Sequence, residues 1–456
     1  MTPLWTSPDI AAATGGIASG DFVVSGVAFD SREVGPGDLF VALSGEATDG
    51  HRFAHQAFAQ GAAGAIVSQD CAGPHVRVAD TFVALQDLAR AARARTEARI
   101  IGVTGSVGKT SAKEALFAAL DRTWAGDVHR SVKSYNNHTG VPLSLARMAA
   151  RMTVGVFEMG MSHAGELATL TRIVRPHVAI VTAIAPAHTE FFADESAIAD
   201  AKGEIFQGLE PGGTAIIPFD SPHRDRLIAA ARPYAGRIVT FGRHKDADVR
   251  ALEAMRMAGG NTFVTARVGV RQVSFILSQP GDHWVSNALA VMAAVEAVDG
   301  DIGLAGLALA DMDGLAGRGA RFMAPVSGGE ALVIDESYNA NPASMAATLA
   351  VLAREQGRHI ALLGEMRELG AASAEYHAGL AGPIIAAGVE TALLVGQAMA
   401  PLADALEGRV EFVHVPDAAA ALGAVRAMLS PGDVLLVKGS NGVGLARVIA
   451  GLQGGS

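Results

Sequence analysis

Residues 100–111 read I-I-G-V-T-G-S-V-G-K-T-S. An apolar run ends in glycines, and Lys109, Thr110 and Ser111 follow. Gly105 and Gly108 let the backbone turn tightly, so that the N–H groups around Ser106 can approach an anion. From Ser111 onward S-A-K-E-A-L-F-A-A-L reads as a helix whose N-terminus faces the same point. Lys109 would reach the outer phosphates of a nucleotide, and the Thr110 hydroxyl would sit on Mg²⁺. One position departs from the standard phosphate loop: Val103 stands where its first glycine would be. The expected ligand is ATP.

Further polar residues suggest what the nucleotide is used for. T-V-G-V-F-E-M-G ends a strand-like run at Glu158. A carboxylate at the carboxyl end of a parallel strand points into the ligand crevice, and its oxygens suit Mg²⁺. V-A-I-V-T-A-I-A-P-A-H places His188 just beyond another strand. In I-A-D-A-K-G-E-I-F, Lys202 reads from the residues alone as a solvated helix lysine. In G-D-H-W-V-S-N-A-L, His283 and Asn287 share a helix face. Asn287 could pair with an adenine edge; ordinary polar residues of a capped helix are the alternative. Arg318, in A-G-R-G-A-R-F, is a cation that could arrive from another domain to stabilise a transferring phosphoryl group. L-V-I-D-E-S-Y-N-A-N-P-A-S-M ends a strand with Asp335 and Glu336, then runs through Asn339 and Asn341 to Pro342, which suits a first helical turn.

These groups need elements to position them. A chain of 456 residues suggests about three domains, and the expected fold class is α/β throughout. Residues 1–98 form a small α/β domain, with strand-like pieces at 22–29, 38–43 and 65–68. Residues 99–315 form a central phosphate-loop domain. Its strand-like runs at 100–104, 153–158, 178–184 and 213–217 alternate with helix-length segments, which predicts a parallel sheet. Residues 247–277 alternate polar and β-branched residues around a Gly-Gly-Asn turn and read as hairpins. Residues 283–298 read as a helix, and the Gly/Asp/Leu-rich stretch 300–317 as leading to a domain boundary near Leu315. Residues 316–456 form a Rossmann-like, doubly wound domain, with strands at 331–335, 358–364, 391–395, 410–415 and 433–437.

Composition narrows the classes. Half of the residues are hydrophobic, so sizeable cores can form. No apolar run reaches the roughly 18 residues a membrane span needs, and residues 1–10 lack the pattern of a secretory leader. Cys71 is the only cysteine, which excludes a disulfide framework and fits a cytoplasmic location. The formal charge of -10, with acid and base interspersed, leaves no basic face for nucleic acid.

In order along the chain, these segments resemble the Mur ligases, ATP-dependent amide-forming enzymes of peptidoglycan precursor synthesis. D-S-R-E-V-G-P-G-D-L-F-V-A-L from Asp30 and G-E-A-T-D-G-H-R-F from Gly45 look like the family's UDP-sugar-peptide binding segments. They carry Ser31 and Arg32, and Asp49 and His51. Y-N-N-H-T-G-V-P-L from Tyr135 carries Asn136 and Asn137 toward the same substrate. L-L-G-E-M-R-E-L-G and V-K-G-S complete the last domain. The resemblance implies joining of D-alanyl-D-alanine to UDP-N-acetylmuramoyl-tripeptide by a monomer. The piece that points to this dipeptide is D-E-S-Y-N-A-N-P, with Asn339 and Asn341 in the dipeptide region. A member that adds the third amino acid would carry an aspartate-tyrosine-alanine-histidine motif there. A non-catalytic nucleotide-binding regulator is the alternative from another class. The resemblance also reverses the reading of Lys202: CO₂ carbamylates it into an anion able to bind metal, beside Glu158, His188 and Thr110. It implies that Asn287 contacts adenine, and that Arg318 and Asp335 lie near the ATP phosphates and take part in closure. Trp284 stands where the family usually has asparagine.

Overall fold

The computed structural model describes residues 3–45, 48–187, 189–257 and 260–454. Among them the strands form four sheets. The first sizeable sheet runs Ile17–Ala18, His75–Arg77, Gly64–Val67, Asp38–Val41, Gly26–Ala28, parallel except at its Ile17–Ala18 edge. Helix Thr81–Ala94 covers it. Its apolar residues Ala84, Leu85, Leu88 and Ala92 recur at helical spacing and are buried. Asp80 caps that helix, accepting from the N–H groups of Phe82 at 2.7 Å and Val83 at 3.0 Å. A small ribbon pairs Trp5–Thr6 with Val23–Val24.

The central sheet has nine strands. Val128–Arg130, Val154–Glu158, Arg99–Thr104, Val178–Val181, Thr214–Pro218, Arg237–Gly242 and Val249–Arg256 are parallel neighbours in that order. The hairpins expected over 247–277 follow, with Thr262–Val268 and Arg271–Leu277 antiparallel. Gly259 of the expected Gly-Gly-Asn turn lies outside the described residues. The sheet order reverses around Arg99–Thr104, so the carboxyl end of that strand opens at a switch point, where open α/β sheets bind ligands. Helix Asp282–Ala297 is apolar around most of its circumference and runs through the core against helix Lys109–Asp121.

The stretch 300–317, expected only to lead to a boundary, contains a helix, Ile302–Ala310. Asp301 caps it by accepting from Gly303 N–H at 2.7 Å. Its glycines lower intrinsic helix propensity, but packing outweighs that: a Cβ on Gly306 would lie 2.9 Å from the Phe275 side chain. Strands Val128–Arg130 and Arg237–Gly242 escaped the sequence reading as well. The first is short and the second begins with an exposed arginine, so neither shows a clean apolar run.

The last sheet runs Ala320–Val326, Gly329–Glu336, Val434–Lys438, His359–Gly364, Val389–Val395, Glu411–Val415. It is parallel except for its first strand, which the sequence reading also missed. Cores form on both faces. Among the described residues no helix is long and apolar enough to cross a membrane.

Candidate active site

The phosphate loop joins strand Arg99–Thr104 to helix Lys109–Asp121. Gly105 has φ 150°, and a Cβ there would lie 2.0 Å from Thr182 Oγ1. Gly108, at φ 84°, caps the helix and approaches Asn287 closely enough that a Cβ would lie 2.8 Å from its Oδ1. Ser106 ties the loop to the neighbouring strand end: its N–H donates to Ala183 O at 2.8 Å, and its Oγ accepts from Ala185 N–H at 3.1 Å. Lys109 folds over the loop and donates to Gly105 O at 2.6 Å. Burial pushes its ammonium below the ordinary lysine range; the Glu158 carboxylate opposes that, and the Arg318 guanidinium adds to it.

Glu158 is buried at the end of strand Val154–Glu158. Its Oε2 accepts from Thr110 Oγ1 at 2.8 Å and its Oε1 from Asn136 Nδ2 at 2.7 Å. A carboxylate and a hydroxyl held together beside a phosphate-binding loop form the hard-oxygen donor set that Mg²⁺ takes with nucleotide phosphates, so these residues fit the ion. Asn137 Oδ1 accepts from the N–H of Gly140, the first residue of the following helix, at 2.9 Å.

Lys202 corrects its solvated reading. Helix Glu195–Gly203 turns Ile198, Ala199, Ala201 and Lys202 inward, and Lys202 is fully buried. Its Nζ has no hydrogen-bond partner among the described residues. Burial, with the Lys109 charge adding, lowers its pKa well below the lysine range, which favours the neutral amine. His188 lies outside the described residues.

A cavity of about 940 Å³ opens over the loop, between the central and last domains. Ser106, Gly108, Lys109, Thr110 and Ser111 line it, together with Asn136, Asn137, Glu158 and Asn287. Arg318, Glu336, Asn339, Asn341 and Lys438 line it from the other side. The Arg318 guanidinium sits 4.3 Å from the Tyr338 ring centre. Asp335 is buried and does not line the cavity; it accepts from Gly317 N–H at 2.7 Å and Ser337 Oγ at 2.6 Å, organising the loop that carries Arg318. Asn341 caps helix Pro342–Leu352, accepting from Ser344 N–H at 2.8 Å. Lys438 donates to Asn339 O at 2.8 Å and lies 3.5 Å from Glu336 Oε2. Burial raises the Glu336 pKa against the opposing Lys438 charge. Burial, with Lys438 adding, pushes the His283 imidazole down to about 4. Trp284 is buried, so its ring belongs to the helix packing around the cavity.

Residues 103–295 match the Mur ligase middle domain, 321–441 the Mur ligase glutamate ligase domain, and 23–96 the Mur ligase family catalytic domain. The chain is 34% identical over 445 residues to the UDP-N-acetylmuramoyl-tripeptide–D-alanyl-D-alanine ligase of Escherichia coli, covering 96% of each. The chain belongs to the Mur ligase family. The Bacillus subtilis enzyme of the same name is 31% identical, over 94% of this chain and 93% of its own. Among solved structures, MurF from Acinetobacter baumannii superposes with a TM-score of 0.85 at 29% identity, over 99% of both chains. MurF from Thermotoga maritima in complex with ADP superposes at 0.78 and 25% identity, over 94% of this chain and 97% of that one.

In this Mur ligase the expected residues of the first domain stand apart from the cavity. Arg32 is exposed and pairs with Asp30 at 2.6 Å, and Ser31 Oγ donates to Gln56 at 3.3 Å. His51 is buried between Asp49 Oδ1, 2.6 Å from its Nδ1, and Ser68 N–H, which donates to its Nε2 at 2.8 Å. That ring braces its own loop. The first domain reaches the cavity through Gln86, on helix Thr81–Ala94. Sequence reasoning missed Gln86 as a cavity residue, and it did not pair Glu336 with Lys438. A lone helix glutamine carries no signal that separates it from a solvated one. Lys438 did stand in the quoted V-K-G-S.

Proposed function

We propose that this Mur ligase joins D-alanyl-D-alanine to UDP-N-acetylmuramoyl-tripeptide with ATP, yielding the pentapeptide precursor of peptidoglycan, ADP and phosphate. The observation that carries this reading is one cavity lined both by the phosphate loop and by the asparagines of the D-E-S-Y-N-A-N-P segment. Relatives aligned over almost the whole chain bear that activity in their names. In the proposed division of labour, residues 1–98 bind the UDP-sugar-peptide, 99–315 bind ATP, and 316–456 bind the dipeptide and close over the site. Ser31, Arg32, Asp49 and His51 belong to the first surface, and Asn287 to the adenine pocket. The enzyme works as a cytoplasmic monomer.

A carboxylate is a poor acceptor for an amine, because its carbonyl is electron-rich and oxide leaves badly. Attack of the tripeptide's terminal carboxylate on the γ-phosphate makes an acyl phosphate and releases ADP. Two anions meet in that step, and Lys109 and Arg318 offset their charge by position. Mg²⁺, held by Thr110 and Glu158, would supply further neutralisation of the phosphates. The neutral amine of the dipeptide then attacks the acyl carbon, and phosphate leaves. Closure of the last domain keeps water from the acyl phosphate. We further propose that Lys202 is carbamylated: its buried neutral amine adds to CO₂ and loses a proton, becoming an anion facing the Lys109 charge and, with His188, a metal-site group.

The test is phosphate release from ATP, with the UDP-sugar tripeptide and D-Ala-D-Ala added singly and together, followed by mass analysis. Release that needs both, with a product heavier by one dipeptide, is expected. Release driven instead by a free amino acid and the UDP-sugar dipeptide would overturn the substrate assignment.

A further inference from the structure

Lys113 lies one helical turn beyond Lys109 on the phosphate-loop helix. It does not line the cavity, and its side chain is fully buried. A buried ammonium is unfavourable unless it is paired and hydrogen-bonded. Here it lies 2.9 Å from Glu114 Oε1 and 3.9 Å from Glu158 Oε2. It donates to the Lys133 carbonyl and reaches the Ser131 carbonyl at 3.5 Å. Lys133 has φ 48°, a left-handed conformation that residues with a Cβ seldom adopt. The carbonyl of this unusual residue is the one Lys113 holds.

The gripped segment in turn holds Glu158. Ser131 Oγ accepts from Glu158 N–H at 2.9 Å, and Asn136 Nδ2 donates to Glu158 Oε1 at 2.7 Å. The remaining hydrogen bond to the carboxylate comes from Thr110, on the same helix as Lys113. One ammonium therefore locks the segment of residues 131–136 to the phosphate-loop helix, and those two elements aim the carboxylate between them.

We infer that Lys113 is a positioning residue for Glu158: it clamps the 131–136 segment so that the carboxylate is pre-set for the metal that accompanies the nucleotide. This rests on the ligase reading above. Outer residues that orient a ligating carboxylate typically change metal affinity by about 10–100-fold when removed.

The full-length protein and its Lys113→Met and Ser131→Ala variants would be titrated with ADP by calorimetry, in EDTA and across a Mg²⁺ series. Folding would be checked by thermal melting. Lys113→Met is expected to bind ADP in EDTA within about twofold of wild type, while the Mg²⁺ concentration giving half-maximal tightening rises about tenfold. Ser131→Ala should shift the same midpoint in the same direction by about threefold. A folded Lys113→Met with an unchanged Mg²⁺ midpoint would overturn the inference. So would an equal loss of affinity with and without Mg²⁺, which marks general damage to the loop. If Lys113→Met does not fold, the Ser131→Ala midpoint decides alone, and no shift overturns it. Wild-type protein that binds no ADP even with Mg²⁺ would overturn the ligase reading itself, an outcome distinct from any difference among variants.

Discussion

Two lysines close to the phosphate loop illustrate how burial assigns chemistry to a residue. Lys109 keeps compensating partners, a carbonyl at 2.6 Å and the Glu158 charge, which fits the proposed role of a cation for phosphate. Lys109→Ala should abolish ATP-dependent phosphate release while melting within a few degrees of wild type; turnover near the wild-type rate would remove it from the site. Lys202 has burial and a like charge working against its protonation. Lys202→Ala should be nearly inactive and partly restored by short carboxylic acids, which stand in for a carbamate. Wild-type rates in bicarbonate-depleted buffer would sink the carbamate assignment. A third titrating residue governs stability. His129 donates from Nε2 to Ser144 O at 2.7 Å, and burial pushes its pKa down to about 4. The unfolded chain protonates this ring first, near pH 6.5. Its contribution is therefore full above that pH and declines as pH falls toward 4. Between pH 7 and pH 5 the loss is about 2 kcal/mol. In urea unfolding, His129→Gln should show a pH slope shallower by that amount.

At the scale of elements, the groups that line the cavity are placed by how strands and helices begin and end. The loop after strand Arg99–Thr104 needs glycine because its path leaves no room for a Cβ. Gly105→Ala would set a methyl against Thr182 Oγ1 and the Ala183 backbone, at a φ that side chains avoid. That variant should lose ADP affinity by more than tenfold in direct titration, while far-UV circular dichroism stays as in wild type. Asn341 acts at the start of helix Pro342–Leu352, with a reciprocal hydrogen bond between its N–H and Ser344 Oγ at 3.0 Å. Asn341→Ala removes a helix cap, a loss of about 1 kcal/mol. It should lower the melting temperature by a few degrees, and it should also raise KM for the dipeptide, because the same side chain lines the cavity.

Across the whole molecule, the three sequence regions are tied together by polar contacts outside the cavity lining. Glu33 of the first region receives Lys133 Nζ at 2.5 Å and Tyr135 OH at 2.9 Å from the segment that Lys113 grips. Glu355, just beyond helix Pro342–Leu352, holds Arg256 of the central hairpin at 3.2 Å and Arg321 of the last sheet at 3.1 Å. Glu355 is mostly buried, so this contact is screened less than an open surface pair. Glu355→Ala should leave ADP affinity within about twofold and raise the KM for D-Ala-D-Ala several-fold, because it frees the side proposed to bind the dipeptide without touching the loop. An unchanged KM would show that this contact has no part in closure.

What the sequence alone determined was which residues of unusual type and order meet at one cavity: Gly108 and Lys109 of the loop, Glu158 at a strand end, and the asparagines of the D-E-S-Y-N-A-N-P run. Their placement follows from local backbone requirements, so a single stretch of chain carries the signal. The alternation of strands and helices was legible for the same reason, since hydrophobic periodicity is local. Helix Ile302–Ala310 was not, because helix Lys109–Asp121, distant in sequence, packs against it. Strand Ala320–Val326 was not, because it is an edge strand with a single buried residue and no clean apolar run. Tertiary structure also decided the environments. It buried Lys202 and Lys113, which on a helix look like any solvated lysine. It moved Asp335 behind the cavity as a loop organiser and engaged both ring nitrogens of His51. Burial and charge proximity arise only when distant segments meet, and they set whether the same side chain is a solvated group, a clamp or a reactive amine.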